Sequence, residues 1–321
     1  MNDCTFNDNR SGRGGNIFGY FGTSGSITGG DGAGVRNLGT LRATNCTFAN
    51  NFTASGGTES FSFGPPRVGR FGNGGGIHNF GSLTLNSCTF AFNSAGQPDP
   101  FNAYPVGMGA GVYHIGPASS AQVLSTIIAR NSSTYRSNNN NVTISNDLSG
   151  SFTSFGHNLI GITNGSSGFT APNDLVSSLV APLDPVLGML ANNSGSAFTC
   201  ALLADSPAID AGDDTVLNSL ATDERGFPRL SGTHVDIGAF EAQLPSGSPK
   251  LTQVKTAGGA FQFAFTNTPG SIFAVLATTN VGLPWTNWAV LGSATESSTG
   301  NFSFTNPVTN IAHRFYRVRS P

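Results

Sequence analysis

Apolar residues in the first third of the chain alternate with polar ones in short runs that stop at Gly, Asn or Ser, and the pattern returns 42 residues later. From Gly32 the chain reads GAGVRNLGTLRATNCTFANN, and from Gly74 it reads GGGIHNFGSLTLNSCTFAFN. A third copy begins at Gly109 as GAGVYHIG and resumes after a small insertion as VLSTIIARN, ending at Asn131. Cys4-Thr5-Phe6 precedes Cys46-Thr47-Phe48 by the same interval that separates the latter from Cys88-Thr89-Phe90. Val35/Ile77/Val112, Leu38/Phe80/Ile115, Leu41/Leu83, Ala43/Leu85/Val123, Cys46/Cys88/Thr126 and Phe48/Phe90/Ile128 occupy equivalent places, with Arg42, Thr84, Thr47 and Thr89 between them. A period of two predicts strands. Strands this short cannot bury an apolar face alone, whereas stacked copies can. The repeat therefore predicts a parallel coil in which equivalent residues lie ~4.8 Å apart as ladders. Asn51, Asn93 and Asn131 are expected to form such a ladder at a turn, their amides bonding backbone and one another. Cys4, Cys46 and Cys88 are expected to stack inside as unbridged small apolar residues.

Composition supports this reading and narrows the function. The 321 residues include 43 Gly and only 10% charged side chains, which suits a turn-dense β structure and leaves room for two domains. A formal charge of −2 gives no reason to expect nucleic acid as a partner. No apolar run approaches the ~20 residues that span a bilayer. Met1-Asn2-Asp3 runs straight into the first Cys-Thr-Phe strand with no signal peptide before it, so the chain is expected to be truncated upstream. Zinc spacing, phosphate loops and nucleophile elbows are absent.

Past Asn131 the register loosens. The chain then carries Gly156-His157-Asn158-Leu159-Ile160-Gly161, SPAIDAGD from Ser206, TDERGFPR from Thr222 and VDIGAFE over 235–241. Together with the repeats, these segments resemble the bacterial β-helix proteins known as the choice-of-anchor Q family, over roughly residues 1 to 242. The resemblance implies a right-handed parallel β-helix, closed at its C-terminal end by the SPAID and DIGAFE segments, in an exported or cell-surface protein. It implies no reaction, since the family has no common established activity. Within Asp210, Asp213, Asp214, Asp223, Glu224, Arg225, Arg229, Asp236 and Glu241, the two arginines are expected to pair with Asp236 and Glu241 and fix the final loop. Calcium in this cluster stays open; no other cofactor is expected.

A Pro/Ser/Gly run at 245–249 reads as a linker between a coil domain over 1–244 and a second domain over 250–321. There, alternating segments such as Phe261-Gln262-Phe263-Ala264-Phe265 and Arg314-Phe315-Tyr316-Arg317-Val318 predict five or six short strands of a β-sandwich. It looks like the appended C-terminal modules of secreted bacterial proteins, a resemblance resting on PWTNWAVLG and RFYRVRSP. Trp285 and Trp288 are read as core residues before they are read as a sugar platform.

Function on a coil is expected on an exposed strand face and the loops beside it, because inward residues are committed to packing. Three Gly- and aromatic-rich insertions precede the copies at Gly32, Gly74 and Gly109 and enter at the same place. They are expected to gather Tyr20, Phe63, Arg67, Arg70, Phe71, Phe101 and Tyr104 into a ligand-binding side. Next to them, Arg36, His78 and Tyr113 each follow an inward Val or Ile and predict an outward column. These residue types can neutralise a uronate carboxylate and abstract its C5 proton, so a polysaccharide lyase is one reading. A glycosidase needs two carboxylates about 5 to 10 Å apart. Residues 1–160 hold only Asp3, Asp8, Asp31, Glu59, Asp99 and Asp147, none paired at strand or repeat spacing. The preferred expectation is a non-catalytic extracellular protein that binds glycan or another extracellular partner through the stacked loops.

Overall fold

The structure is a computed structural model describing residues 1–19, 28–61, 67–96, 107–116, 120–137, 140–145, 147–307 and 313–320. The chain is all-β, with both parallel and antiparallel sheets. Pairing follows the sequence interval. Thr47 lies beside Thr5 and Thr89, Ile77 beside Val35 and Val112, and Leu83 beside Leu41 and Ala121. Three parallel sheets result. The first holds Thr5–Asn7, Thr47–Ala49, Thr89–Ala91, Ile127–Ile128, Leu159–Ile160 and Leu175–Val176, and is called here the Phe sheet. The second, the His sheet, holds Val35–Asn37, Ile77–Asn79, Val112–His114, Leu148–Ser151 and Ser166–Ser167. The third holds Thr40–Thr44, Ser82–Asn86, Ala121–Leu124 and Thr153–Ser154.

Corners between strands explain the residues that interrupt each run. Asp3, Asn45, Ser87, Ser125 and His157 stand at one equivalent corner, all with left-handed backbone between φ 45 and 56°. Short polar side chains tolerate that conformation best. Gly32, Gly74 and Gly109 turn the chain into the His sheet, where a Cβ on Gly74 would stand 2.4 Å from the Ile77 carbonyl oxygen, so only glycine fits.

The three sheets bury one core, which includes Phe48, Ile77, Leu83, Leu85, Phe90, Val112 and Ile160. Phe6, Phe48 and Phe90 stack with ring centroids 4.7 and 4.4 Å apart. Burying each such side chain stabilises the fold by about 1.5–3 kcal/mol. Cys4, Cys46 and Cys88 carry free thiols beside this stack. The Asn ladder forms and is longer than the repeat suggested. Asn9 donates to Asn51 Oδ1, Asn51 to Asn93, Asn93 to Asn131 and Asn131 to Asp147 Oδ1, at 2.8 to 3.0 Å from each amide nitrogen. Each of these Oδ1 atoms also accepts the backbone N–H of the residue whose amide donates to it, so buried polar groups at this turn are satisfied from repeat to repeat. Asp147 accepts without donating, and therefore ends the chain of amides.

Two parts of the apolar pattern land elsewhere than the alternation suggests. Leu38, Phe80 and Ile115 follow a strand end and stand outside the core, 67%, 41% and 42% exposed. Thr47 and Thr89 do point away from the core, yet both are buried. Their cover is the stretch from 206 to 241. Instead of closing the far end, the SPAID, DERGFPR and DIGAFE segments run along the outer face of the Phe sheet. There Ala208, Ile237 and Phe240 pack with Ala49, Ala91, Ile127 and Leu159. Ala239 N–H donates to Thr89 Oγ1, and Asn45 Nδ2 donates to the Thr222 carbonyl at the other end of the stack.

Beyond 250, Thr252–Ala257, Ala260–Thr266, Asn301–Pro307 and Thr295–Ser298 form one antiparallel sheet, and Ala289–Ser293, Ala274–Thr278 and Phe315–Arg319 form another. Phe263, Phe265, Phe273, Val275 and Phe302 fill the space between them. Ile272, Ala274 and Leu276 pack with the covering segments. Trp288 is half-buried and its Nε1–H donates to the Leu283 carbonyl, whereas Trp285 is exposed, with Arg317 and Arg319 near its ring.

Candidate functional site

Arg36, His78 and Tyr113 are direct neighbours across three adjacent strands of the His sheet. Because side chains alternate across a strand, a residue next to inward Val35, Ile77 or Val112 must point outward. The His78 ring stacks on Tyr113 at 5.0 Å and meets the Phe80 ring edge-on at 4.6 Å. The Arg36 guanidinium lies 5.9 Å from the Phe80 centroid, and its side chain is exposed. Phe80 thus joins the column from the neighbouring corner.

His78 is the exception on this face. It points outward but is only 1% exposed. Asp31 comes from the end of the first insertion and places Oδ2 3.8 Å from His78 Nε2. Arg70, from the end of the second insertion, grips the same carboxylate with two hydrogen bonds of 2.8 and 3.0 Å. The Asn73 N–H adds a third at 2.8 Å. Burial works to raise the Asp31 carboxyl, but the Arg70 and Asn73 hydrogen bonds and the nearby His78 outweigh it and hold the group below its ordinary value. Burial drives His78 the other way, down to about 4 against the pull of Asp31, with Arg36 and Arg70 adding to the fall. At neutral pH the imidazole is therefore uncharged, and its buried Nδ1 has no hydrogen-bond partner among the described residues.

Other expected ligand-binding residues are distributed differently. Tyr20, Phe63, Phe101 and Tyr104 lie outside the described residues. Arg67 sits in a two-residue strand opposite Glu59, and the strand carrying Glu59 also pairs with Ile17–Gly19, so the first two insertions do run side by side. Arg70 is exposed beside Asp31. Phe71 is buried, and a Cβ on Gly96 would stand 3.0 Å from its ring, which removes it from the binding surface. Asp31 and Phe80 were not among the expected site residues. Asp31 is 42 residues before Asn73 and takes the same turn position, a match readable in the repeat.

The acidic and basic cluster near 210–241 pairs otherwise than expected. Arg225 joins Asp223 at 2.7 Å and donates to the Asn193 and Glu241 carbonyls, with the Phe240 and Phe227 ring centroids 3.7 and 4.7 Å from its guanidinium carbon. Arg229 donates to the Asp236 and Gly238 carbonyls, and its charge acts on the Asp236 and Glu241 carboxylates, as expected, without a hydrogen bond to either. Burial pushes both Asp236 and Glu241 up, and the Asp236 charge adds to the rise at Glu241. Glu224 reaches across to the first strands, 2.5 Å from Thr47 Oγ1 and 2.9 Å from Thr5 Oγ1. Burial raises it to about 8 against these hydrogen bonds. A protonated Glu224 completes a consistent chain: Thr47 donates to it, it donates to Thr5, and Thr5 donates to the Phe198 carbonyl at 2.7 Å. Glu224 thus fastens the covering segments to the first strands of the Phe sheet, whereas Arg225, Arg229, Asp236 and Glu241 bond within those segments and to Asn193. Among the described residues, no three or more His, Cys, Asp or Glu side chains gather as a metal site. His157 is a turn residue with φ 55°, whose Nδ1–H donates to the Ala211 carbonyl.

Among the described residues, no helix is long and apolar enough to cross a membrane. No protein-family model, no curated protein and no solved structure matches this chain.

Proposed function

We propose that this chain is an exported, non-catalytic right-handed parallel β-helix of the choice-of-anchor Q type, carrying a β-sandwich module, and that it binds an extracellular glycan. The in-register strand pairs at the repeat interval and the passage of each repeat through the same three sheets support the coil reading. The binding face is the column of Arg36, Phe80 and Tyr113 with Arg70 beside it. Aromatic rings and guanidinium groups set at coil spacing suit the ring faces and oxygens of successive sugars.

One observation carries the preference for binding over catalysis: His78, the only base in the column, is enclosed and held near 4. A lyase base must reach the proton it removes and hold a value near the working pH. His78 instead serves as the spacer on which Tyr113 and Phe80 rest. The lyase reading keeps one supporting fact, the direct adjacency of Arg36, His78 and Tyr113.

A glycan array probed with the intact chain tests the proposal. Binding to at least one glycan class is expected, with Arg36→Ala and Phe80→Ala weakening it about tenfold, equivalent to ~1.4 kcal/mol. Binding unchanged in both variants removes the face from the function. Release of unsaturated uronate products that absorb in the ultraviolet, abolished by His78→Ala, would replace binding with β-elimination.

A further inference from the structure

The segment beyond residue 250 differs from the rest of the chain in charge. Residues 250–321 hold five Lys or Arg against one Glu, whereas residues 1–249 hold ten against sixteen Asp or Glu. The module is therefore +4 and the rest of the chain −6, an asymmetry hidden within the formal charge of −2. Its one acid, Glu296, is already engaged: its oxygens accept the Gly270 and Gly300 N–H groups, and its charge acts on Arg225 of the covering segments. Among the described residues, Arg319 alone of the five cations has an acidic partner, Asp205 at 2.9 Å.

Strand alternation gathers part of this charge beside exposed rings. Phe315, Arg317 and Arg319 lie opposite Thr278, Leu276 and Ala274 and share one face of their strand, while Tyr316 and Val318 pack against the Phe cluster between the two sheets. Trp285 opens the short turn Trp285–Asn287, with its ring centroid 5.9 Å from the Arg317 guanidinium carbon and 6.0 Å from that of Arg319. Asp205 matches the Arg319 charge, so Arg317 stands exposed and unmatched beside a ring that is itself 49% exposed. Phe315, 40% exposed, continues the strip. Exposed Trp and Arg side by side are the residue types in which binding energy concentrates. Charge then selects the ligand. A cationic ligand would be repelled, and a neutral sugar would leave the guanidinium unused. An acidic sugar uses both groups, its C–H face on Trp285 and its carboxylate on the Arg317 fork. Single-stranded nucleic acid needs a longer track of cations and stacking rings than this strip offers. We infer that the strip docks a uronate-bearing polysaccharide, through elements that contribute no residue to the Arg36–Tyr113 column.

Affinity gel electrophoresis of the full chain tests the inference, with polygalacturonate and alginate as probes and methyl-esterified polygalacturonate as the uncharged comparison. The unaltered chain is run beside one carrying Arg36→Ala and Phe80→Ala, in which the column is disabled. Retardation of both by at least one polyuronate is expected, with little by the methyl ester. Added to the doubly substituted chain, Arg317→Ala and Trp285→Ala should each weaken binding about tenfold, equivalent to ~1.4 kcal/mol. Raised salt should weaken it as well, by screening the charges. A thermal melt of each variant confirms folding, and Arg317→Ala carries the result if Trp285→Ala does not fold. Retardation by neither polyuronate, equal retardation by the methyl ester, an affinity that either folded strip variant leaves unchanged, or tighter binding of single-stranded DNA than of either polyuronate overturns the inference. Binding by the unaltered chain that disappears with Arg36→Ala and Phe80→Ala overturns it too, and leaves the reading of the column standing.

Discussion

The Phe6–Phe48–Phe90 ladder and the Arg36–His78–Tyr113 ladder are built by the same register of parallel strands, yet one repeats its residue and the other changes it at every step. The inward rings share a space whose width each neighbouring strand sets, so a change in one would leave a void or a clash against the next. Outside the His sheet no such constraint acts. Thr5, Thr47 and Thr89 confirm the logic from the other direction: they also point outward, but Glu224 and Ala239 bond to them, and they stay threonine. Sameness between repeats marks positions that the fold has enclosed. Variation marks positions that are open, as at Arg36, or covered by an insertion that follows no period, as at His78 beneath Asp31.

The strongest way to break this comparison is Phe48→Ala. It removes the middle ring of the stack and should cost about 3–5 kcal/mol in urea unfolding; a loss near zero would show that the repeated residue is not needed. Asn93→Ala comes next. It strands the Asn51 amide and the Phe48 carbonyl, which accepts from Asn93 at 2.8 Å, and should lower stability by about 1–3 kcal/mol for the unsatisfied groups. A thermal melt compared with that of Asn37→Ala, whose amide donates to Asn79 Oδ1 at 2.6 Å and to the Ser82 carbonyl at 2.9 Å, would sharpen the point.

Stability should also depend on pH through groups that the repeat does not contain. Glu224 and Asp147 have folded-state values of about 8 and 7, above the ordinary carboxylate range, chiefly because both are buried. The folded chain therefore binds more protons than the unfolded one, and this contribution is complete below about pH 4 and lost as pH rises through 7 to 8. Melting at pH 5 should exceed melting at pH 8.5 by a free-energy difference on the order of 1 kcal/mol or more. Glu224→Gln should reduce that difference; an unchanged pH profile in this variant would place the dependence elsewhere. The smallest effect is expected at the variable ladder. Arg36→Ala should change stability by no more than about 0.5 kcal/mol, as exposed substitutions do, which separates its effect on binding from any effect on folding.

Much of this was legible along the chain. The 42-residue interval predicts which strands pair, the Cys and Phe ladders, and the Asn ladder at the turn, because identical neighbours in a stack need identical residues. Asp31 was legible too, through its equivalence to Asn73, but its contacts with Arg70 and His78 were not. Those arise where two insertions meet, and insertions follow no period. The burial of Phe71 and the exposure of Leu38, Phe80 and Ile115 escaped for a related reason: an apolar residue at a corner reads like one in a strand.

The sequence by itself determined the all-β class, the register between repeats and the column that brings Arg36, His78 and Tyr113 together. Each follows from local alternation and a fixed interval, which act between neighbours in the stack. Only the tertiary structure decided what covers each face. Glu224 meets Thr5 and Thr47 across more than 170 residues, Arg225 is enclosed by Phe227 and Phe240, and His78 loses its charge and its access to solvent. Burial and long-range contact set those outcomes, since the dielectric around a side chain depends on every segment that packs against it.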